Sequence, residues 1–202
     1  MQVFCLCRLR SYMHRGKWAR VCDEFYVLSF RRSIWNSRKR PNYPHEIIEF
    51  PAVLVDLSTG EQIAKFHSFV RPRINPVLSD FCTRLTGITQ AQVDSAPYFP
   101  AVYTAFTEWL VEKKLLMRDH NDKLKIEDKT PSWTLLTDGS ADICRFLHLQ
   151  CLHDKIPFPF HWAGKYANLK KLFQSAYKPK SKMRLEQMLE HLGMEFEGRL
   201  HR

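Results

Sequence analysis

The sequence predicts an α/β fold in which a mixed β-sheet is flanked by helices. Two observations lead to this prediction. Three strand-type segments follow one another early in the chain with tight connections, which is typical of an antiparallel meander. Helical and strand-type segments then alternate, and such alternation adds parallel strands to a sheet that carries helices on its faces. The expected sheet therefore combines an antiparallel meander with parallel strands.

The meander is predicted from aromatic and β-branched segments. Residues 25–30 form a short segment of this type, and residues 46–56 are apolar on both faces, as in a central strand. Pro51 within the second segment requires a bulge or an unpaired edge position, because proline has no N–H to donate. Residues 57–60 are typical of a turn, and residues 63–70 return as the third strand.

The rest of the chain shows helical periodicity in four segments with an apolar stripe. These are residues 99–110, 143–151, 169–176 and 185–192. Ser140 is placed to cap the second of these helices, and Gly193 to end the last one. Residues 133–137 are the fourth main strand, and a short strand is expected near residues 158–162. Two polar stretches are interpreted as loops, residues 31–44 and 117–131.

The length and charge indicate one globular domain with a basic arm. The 202 residues are 45% hydrophobic and 26% charged, and no apolar segment approaches the roughly 20 residues of a membrane span. Residues 1–44 hold ten Lys or Arg and two acidic residues, so +8 of the net charge of +10 lies there. We divide the chain into a basic arm, residues 1–24, and a domain, residues 25–202. The arm suits an anionic partner such as RNA, although a solvated basic surface is the alternative.

The cysteine spacing argues against a zinc site, because the six cysteines form no C-x-x-C pair. Cys144 and Cys151 lie seven residues apart on a predicted helix, and we interpret them as buried thiols of a reducing compartment. The first 22 residues contain five basic and no acidic residues, as a mitochondrial transit peptide does, but they are poor in serine. We therefore expect a cytoplasmic or nuclear protein, with a mitochondrial location less favoured. The sequence does not indicate an oligomeric state.

Seven different segments of the chain carry a resemblance to a known family. They are HEIIEFP (45–51), VRP (70–72), LSDFC (78–82), LTGITQAQVD (85–94), LLTDGSAD (135–142), NLKK (168–171) and LGMEFEGRLH (192–201). In these segments the chain resembles the Eri-type 3′–5′ exoribonucleases, a branch of the DEDDh nucleases with a ribonuclease-H-like fold. The resemblance covers residues 25–202. It implies metal-dependent removal of 3′ nucleotides from RNA, with Mg²⁺ held by carboxylates.

The resemblance also assigns the catalytic positions. Asp142 matches the family's helix aspartate, a catalytic metal ligand, and His201 matches its general base. The family's Asp-x-Glu on the first strand falls on Ser29 and Arg31, so both metal ligands are replaced. The last aspartate of the pattern would follow Arg202, as would the family's final helix. We therefore expect a domain that is truncated at its C-terminus.

The charge of this site predicts weak or absent catalysis. A complete family site contributes four carboxylates, whereas Asp142 and Arg31 sum to zero. Two metal ions held close together without an anionic cage repel each other, because unit charges 4 Å apart interact by about 4 kcal/mol even at an effective dielectric of 20. The alternative role for Asp142 is that of a carboxylate stabilised by the helix dipole.

Contacts with RNA are expected from one aromatic residue and from several basic ones. Phe81 can stack on a base, which is worth roughly 1–3 kcal/mol, or it can pack in the core. Ala141 stands where the family usually has a tryptophan beside the aspartate. The basic candidates are Arg31, Arg38, Lys39, Arg40, Lys170 and Lys171. For Lys170 and Lys171, the alternative is a solvated helix face.

Three functional hypotheses follow. The first is a 3′–5′ RNA exonuclease whose activity is weak or lost. The second is a non-catalytic RNA-binding module, in which Arg31 contacts a phosphate at the place where the family binds its metals. The third is a truncated isoform or gene model without a function of its own.

Overall fold

The computed structural model describes residues 24–28, 31–32, 44–57, 59–125 and 133–194, with the first two ranges described by their backbone alone. Seven helices and eight strands lie in these ranges. The strands are β1 (Glu24–Leu28), β2 (Arg31–Arg32), β3 (Ile47–Asp56), β4 (Gln62–Phe69), β5 (Met117–Arg118), β6 (Leu124–Lys125), β7 (Trp133–Thr137) and β8 (Tyr166–Asn168).

The helices follow the same chain order. They are α1 (Asp80–Thr86), α2 (Gln90–Asp94), α3 (Phe99–Glu112), α4 (a π-helical part, Asp142–Leu147, continued by the α-helix His148–His153), α5 (Phe160–Ala163), α6 (Leu169–Tyr177) and α7 (Leu185–His191). Every one of the four helices predicted from periodicity is present. Among the residues that the structure describes, no helix is long and apolar enough to cross a membrane.

A mixed six-stranded sheet forms the centre of the described structure. β3 pairs antiparallel with β1, β2 and β4, which confirms the predicted meander. β7 pairs parallel with β1 on one side and with β8 on the other. The predicted fold class is therefore correct, although the sheet has six strands where four main strands and one short strand were expected.

Both faces of the sheet are covered, as the apolar strands predict. In β7, Leu135 and Leu136 are both buried, and they belong to different clusters because successive strand residues point to opposite faces. The larger cluster packs the sheet against α3 and α4, with the rings of Phe50 and Phe106 4.9 Å apart. The smaller one packs the other face against α6 and α7, and includes Phe173.

Pro51 lies within β3 and is in register with a residue of β4. It lies opposite His67 of β4, while the described pairs between β3 and β1 end at Ala52 and those with β2 begin at Glu49. Pro51 is thus part of the β3–β4 ladder, while residues 29 and 30, between β1 and β2, lie outside the described residues. The bulge or unpaired edge position therefore stays a prediction. The register shift of β3 falls between Leu54 and Val55.

Two stretches that were interpreted as loops contain short strands. β2 forms within residues 31–44, where Arg31 and Arg32 pair antiparallel with Glu49 and Ile47 of β3. Residues 117–131 contain the β5–β6 hairpin, in which Asp119 accepts backbone N–H groups from Asn121 and Lys123, each at 2.9 Å. An aspartate that binds the backbone two residues onward stabilises a turn.

The strand predicted near residues 158–162 is wrong. Residues 160–163 form α5, where the carbonyl of Pro159 accepts the N–H groups of Trp162 and Ala163 at 3.1 and 2.8 Å. The strand itself is β8, four residues further on. The aromatic composition of the segment suggested a strand, but Trp162, 2% exposed, and Phe158 pack into the core, while Phe160 is exposed.

One predicted role near the start of α4 is wrong. Ser140 does precede the first helical residue, Ala141, and its carbonyl accepts the N–H of Cys144 at 2.8 Å. Cys144 is exposed, whereas Cys151 is buried as predicted. Burial, together with the nearby Asp154 carboxylate, raises the pKa of the Cys151 thiol to about 11.

Hydrophobic periodicity does not predict α1 and α2, because these helices are signalled by their caps and not by an apolar stripe. The hydroxyl of Ser79 accepts the N–H of Cys82 at 3.1 Å, and Gly87 ends α1 with a φ of 74°. Thr89 and Gln92 form a capping box at the start of α2. A five-residue helix has too few positions for a recognisable stripe.

The buried Glu46 fixes the loop that follows β4. Its Oε1 accepts the N–H of Arg73 at 2.7 Å, and its Oε2 accepts the N–H of Asn75 at 2.8 Å, while Ile74 donates to both oxygens. Glu46 is 2% exposed. These backbone donors would otherwise have to be satisfied by water.

We expect Glu46→Gln to lower the free energy of unfolding by about 1–3 kcal/mol, because an amide nitrogen would face backbone donors that need an acceptor. Urea denaturation with a Glu61→Gln control measures the difference, since Glu61 is exposed. Equal midpoints for the two variants would show that the carboxylate does not hold this loop.

Candidate functional site

The site edge, as we name it, is the edge of the sheet where β1, β7 and β8 end. The three strands run parallel, so their carboxyl ends lie together, which is the usual position of ligand sites in such sheets. The pair Thr137–Asn168 is the last one between β7 and β8. Asp138 and Asp142 follow β7, and Ser29 follows β1. The backbone therefore brings the predicted Asp142 to the end of the strand next to β1.

Asp142 is the first residue of α4 and lies in its first turn. Its side chain is half-buried, and Ala141 beside it is exposed. The predicted position at the start of a helix is confirmed. The favourable interaction of a carboxylate with the N-terminal end of a helix dipole applies here whether or not a metal ion binds.

Asp138 is a second carboxylate at the site edge, and the sequence analysis did not single it out. Its Oδ2 accepts a hydrogen bond from the Lys170 ammonium at 2.8 Å, and its backbone carbonyl accepts the N–H of Lys170 at 3.3 Å. Its Oδ1 is buried without a hydrogen-bond partner among the described residues. The sequence feature that could have identified Asp138 is its position directly after a buried strand.

The ammonium of Lys170 is thus partly committed to a protein carboxylate, which weakens the prediction that it contacts RNA. Lys171 is exposed, and its N–H donates to the Asn168 side chain at 3.0 Å, which caps α6. Phe81 on α1 is 38% exposed, so it is not an ordinary core residue and a face remains accessible for stacking.

Several predicted site residues cannot be compared with the structure. For Arg31, the backbone lies in β2 opposite Glu49, while its side chain is not described. The others fall outside the described residues: Ser29, Arg38, Lys39, Arg40 and His201.

A hydroxyl and thiol cluster lies beside α4 and was also missed. The Tyr166 hydroxyl lies 3.1 Å from the Cys144 Sγ. This hydrogen bond, followed by burial, raises the pKa of the Tyr166 phenol. The Tyr166 phenol therefore stays neutral near neutral pH and acts as a hydrogen-bonding group.

The described residues do not fit a two-metal centre. Such a centre needs several carboxylate oxygens around each ion. Across residues 44–57, 59–125 and 133–194, no group of three or more His, Cys, Asp or Glu side chains is arranged to hold a metal ion. Of the two carboxylates after β7, one is bound to Lys170. The charge supplied by Asp142 alone is too small for two divalent ions.

Comparison with known protein families shows the family to which the chain belongs. The RNase T model, described as an exonuclease, matches residues 37–202. The chain belongs to this exonuclease family. Its fold is the ribonuclease-H-like fold of the DEDDh exonucleases, as the sequence predicted. Divalent metal ions are the general cofactors of that family.

Similar sequences come from the 3′–5′ exoribonucleases. The human 3′–5′ exoribonuclease 1 is 44% identical over 96% of this chain and 54% of its own length. The 3′–5′ exonuclease eri1 of Schizosaccharomyces pombe is 35% identical over 80% of this chain and 57% of its own. The chain thus spans about half the length of these curated relatives.

Two solved structures are similar to this chain. The nuclease domain of 3′hExo, described as a DEDDh family member bound to rAMP, superposes with a TM-score of 0.78 at 39% identity, covering 89% of this chain and 84% of that one. A 3′-exonuclease structure that concerns 3′-end-specific recognition of the histone mRNA stem-loop has a TM-score of 0.75 at 40% identity, covering 89% and 74%.

The Asp138–Lys170 pair gives a direct test of the site edge. We expect Lys170→Met to lower the free energy of unfolding by about 0.5–1 kcal/mol, because it leaves a half-buried carboxylate without its cation. The matched control is Lys171→Met, which removes an exposed lysine from the neighbouring position. Thermal denaturation at low salt compares the two. If both variants melt at the same temperature, the ion pair does not contribute to stability.

Proposed function

We propose that this chain is an RNA-binding domain of the 3′–5′ exoribonuclease type in which removal of 3′ nucleotides is weak or absent. The observation that supports it is the site edge. There, Asp142 keeps the family's helix position while the described residues offer no three-ligand group for a metal ion. By the resemblance, Ser29 and Arg31 replace two further carboxylate ligands. The chain keeps the fold of the family, whereas its metal-ligand positions are altered.

The proposed loss follows from electrostatics. In the family reaction, divalent ions activate a water molecule and stabilise the leaving 3′ oxygen. In this chain, Asp142 is the described carboxylate that would hold such an ion, and Mg²⁺ is the ion that the family chemistry suggests. A guanidinium at position 31 would oppose the ion and instead favour a phosphate oxygen. We therefore propose a contact with the RNA that requires no metal ion.

RNA is the proposed partner for two reasons. The net charge of +10 favours a polyanion, and the first 44 residues carry most of it. The similar 3′-exonuclease is described as recognising the 3′ end of an RNA stem-loop. We extend to this chain only the recognition of RNA with a free 3′ end. A cytoplasmic or nuclear location is proposed as well, since Cys82, Cys144 and Cys151 are free thiols.

The proposal predicts slow trimming of RNA. With Mg²⁺ or Mn²⁺, we expect the chain to shorten a 3′-hydroxyl RNA at least about a hundredfold more slowly than human 3′–5′ exoribonuclease 1, because one missing charge-stabilising contact alone typically costs that factor. Single-nucleotide products on a sequencing gel measure the rate.

Two variants test whether the missing carboxylates cause the slow trimming. The double variant Ser29→Asp with Arg31→Glu should increase the metal-dependent rate, and adding Asp142→Asn to it should abolish the increase. Trimming by the unaltered chain at the rate of the human enzyme, sensitive to EDTA, would contradict the proposal.

A further inference from the structure

A basic stretch begins at the site edge and continues along α6. Residues 165–185 contain seven Lys or Arg and no Asp or Glu. All seven are exposed. They are Lys165, Lys170, Lys171, Lys178, Lys180, Lys182 and Arg184. We propose that this basic track binds the phosphates of RNA that extends beyond the 3′-terminal site. The inference rests on the proposed RNA binding and adds a second contact region to it.

The geometry of α6 gives the track its direction. Its apolar face, with Leu169 and Phe173, is buried against the sheet. Lys171, Gln174 and Lys178 follow at three- and four-residue spacing, so they share the opposite, exposed face. Lys170 and Lys178 are separated by eight residues, or roughly 12 Å at 1.5 Å per residue. The track therefore leads away from the site edge along one helix face.

The loop after α6 extends the track. Lys178 ends the helix in the left-handed conformation, with a φ of 45°, and its N–H donates to the Gln174 carbonyl at 3.1 Å. The Gln174 side chain in turn donates to the Pro179 carbonyl at 3.3 Å. Alternate residues Lys180 and Lys182 then follow in the exposed loop. These bonds hold the start of the basic loop against the end of the helix.

The basic track differs from an ordinary solvated surface in how few of its cations form ion pairs with acidic side chains. Elsewhere, several surface cations lie beside acids, as the half-buried Lys113 does beside Glu112 and the exposed Lys125 beside Asp119. Within the described part of the chain, the ion pair found for the track is that of Lys170 with Asp138, which lies at the site edge itself. Concentrated charge of one sign, continuous with the site, favours a polyanion that enters the site.

Three loop lysines are suited to a test. The variant Lys178→Gln, Lys180→Gln, Lys182→Gln leaves Asp138 and its partner unchanged. The matched control is Lys114→Gln, Lys123→Gln, Lys155→Gln, which removes three exposed lysines from other loops. Lys114 and Lys155 also have positive φ, as Lys178 does, so the two variants are similar in backbone strain.

Binding of single-stranded RNA with a free 3′ hydroxyl is measured by fluorescence anisotropy over a series of salt concentrations, with EDTA present. Each phosphate contact contributes about −0.7 to the slope of log K against log salt, so the loop variant should flatten the slope by about 2 for a twenty-nucleotide RNA. The control should change it little. A trinucleotide should bind both variants and the parent alike, because it does not reach the loop.

The outcomes separate the two proposals. If the parent does not bind RNA at all, the proposed function is wrong, and this inference with it. If the parent binds while the loop variant and the control behave alike, only the basic track is wrong. Equal losses for the trinucleotide and the longer RNA would also contradict a separate track. Polyglutamate is titrated in the same assay as a second polyanion. If the loop variant loses binding to polyglutamate but binds RNA as the parent does, the surface serves an acidic protein partner and the inference is overturned.

Discussion

The parallel pairing of β1, β7 and β8 is the constraint on which the rest of this structure depends. It brings three carboxyl ends to one edge, and it requires helices on both faces because β7 is buried on both. α4 begins at that edge with Asp142, and α6 begins there with the Asn168 cap. The candidate site and the basic track are therefore both consequences of the same pairing.

Fold and chemistry have separate physical requirements in this chain. The sheet needs apolar residues such as Leu135 and Leu136, and these preserve an architecture similar to that of 3′hExo. Two-metal catalysis needs clustered carboxylates, which contribute little to packing and can change without loss of the fold. Asp138 is an example of such a change in role. It lies at the site edge, but its carboxylate forms an ion pair with Lys170. A preserved sheet therefore does not establish a working catalytic centre.

Much of the fold follows from the sequence, because burial on one or both faces leaves a periodic pattern. The pattern predicted β3 and α3 within two residues of their ends. It failed where tertiary contacts decide the structure. β2 exists because β3 offers it a partner, and α5 forms where Trp162 fills the core. In the site, Asp142 was predicted by resemblance, whereas the link from Asp138 to Lys170 spans 32 residues and leaves no local signal.

Metal binding by the unaltered chain tests the central claim most directly. Titration of Mn²⁺, followed by electron paramagnetic resonance, counts bound ions without requiring turnover. The account predicts no stoichiometric site of micromolar affinity, because no group of three or more His, Cys, Asp or Glu side chains in the described residues is arranged to hold a metal ion. Two bound Mn²⁺ ions per chain at micromolar concentration, lost in Asp142→Asn, would contradict it.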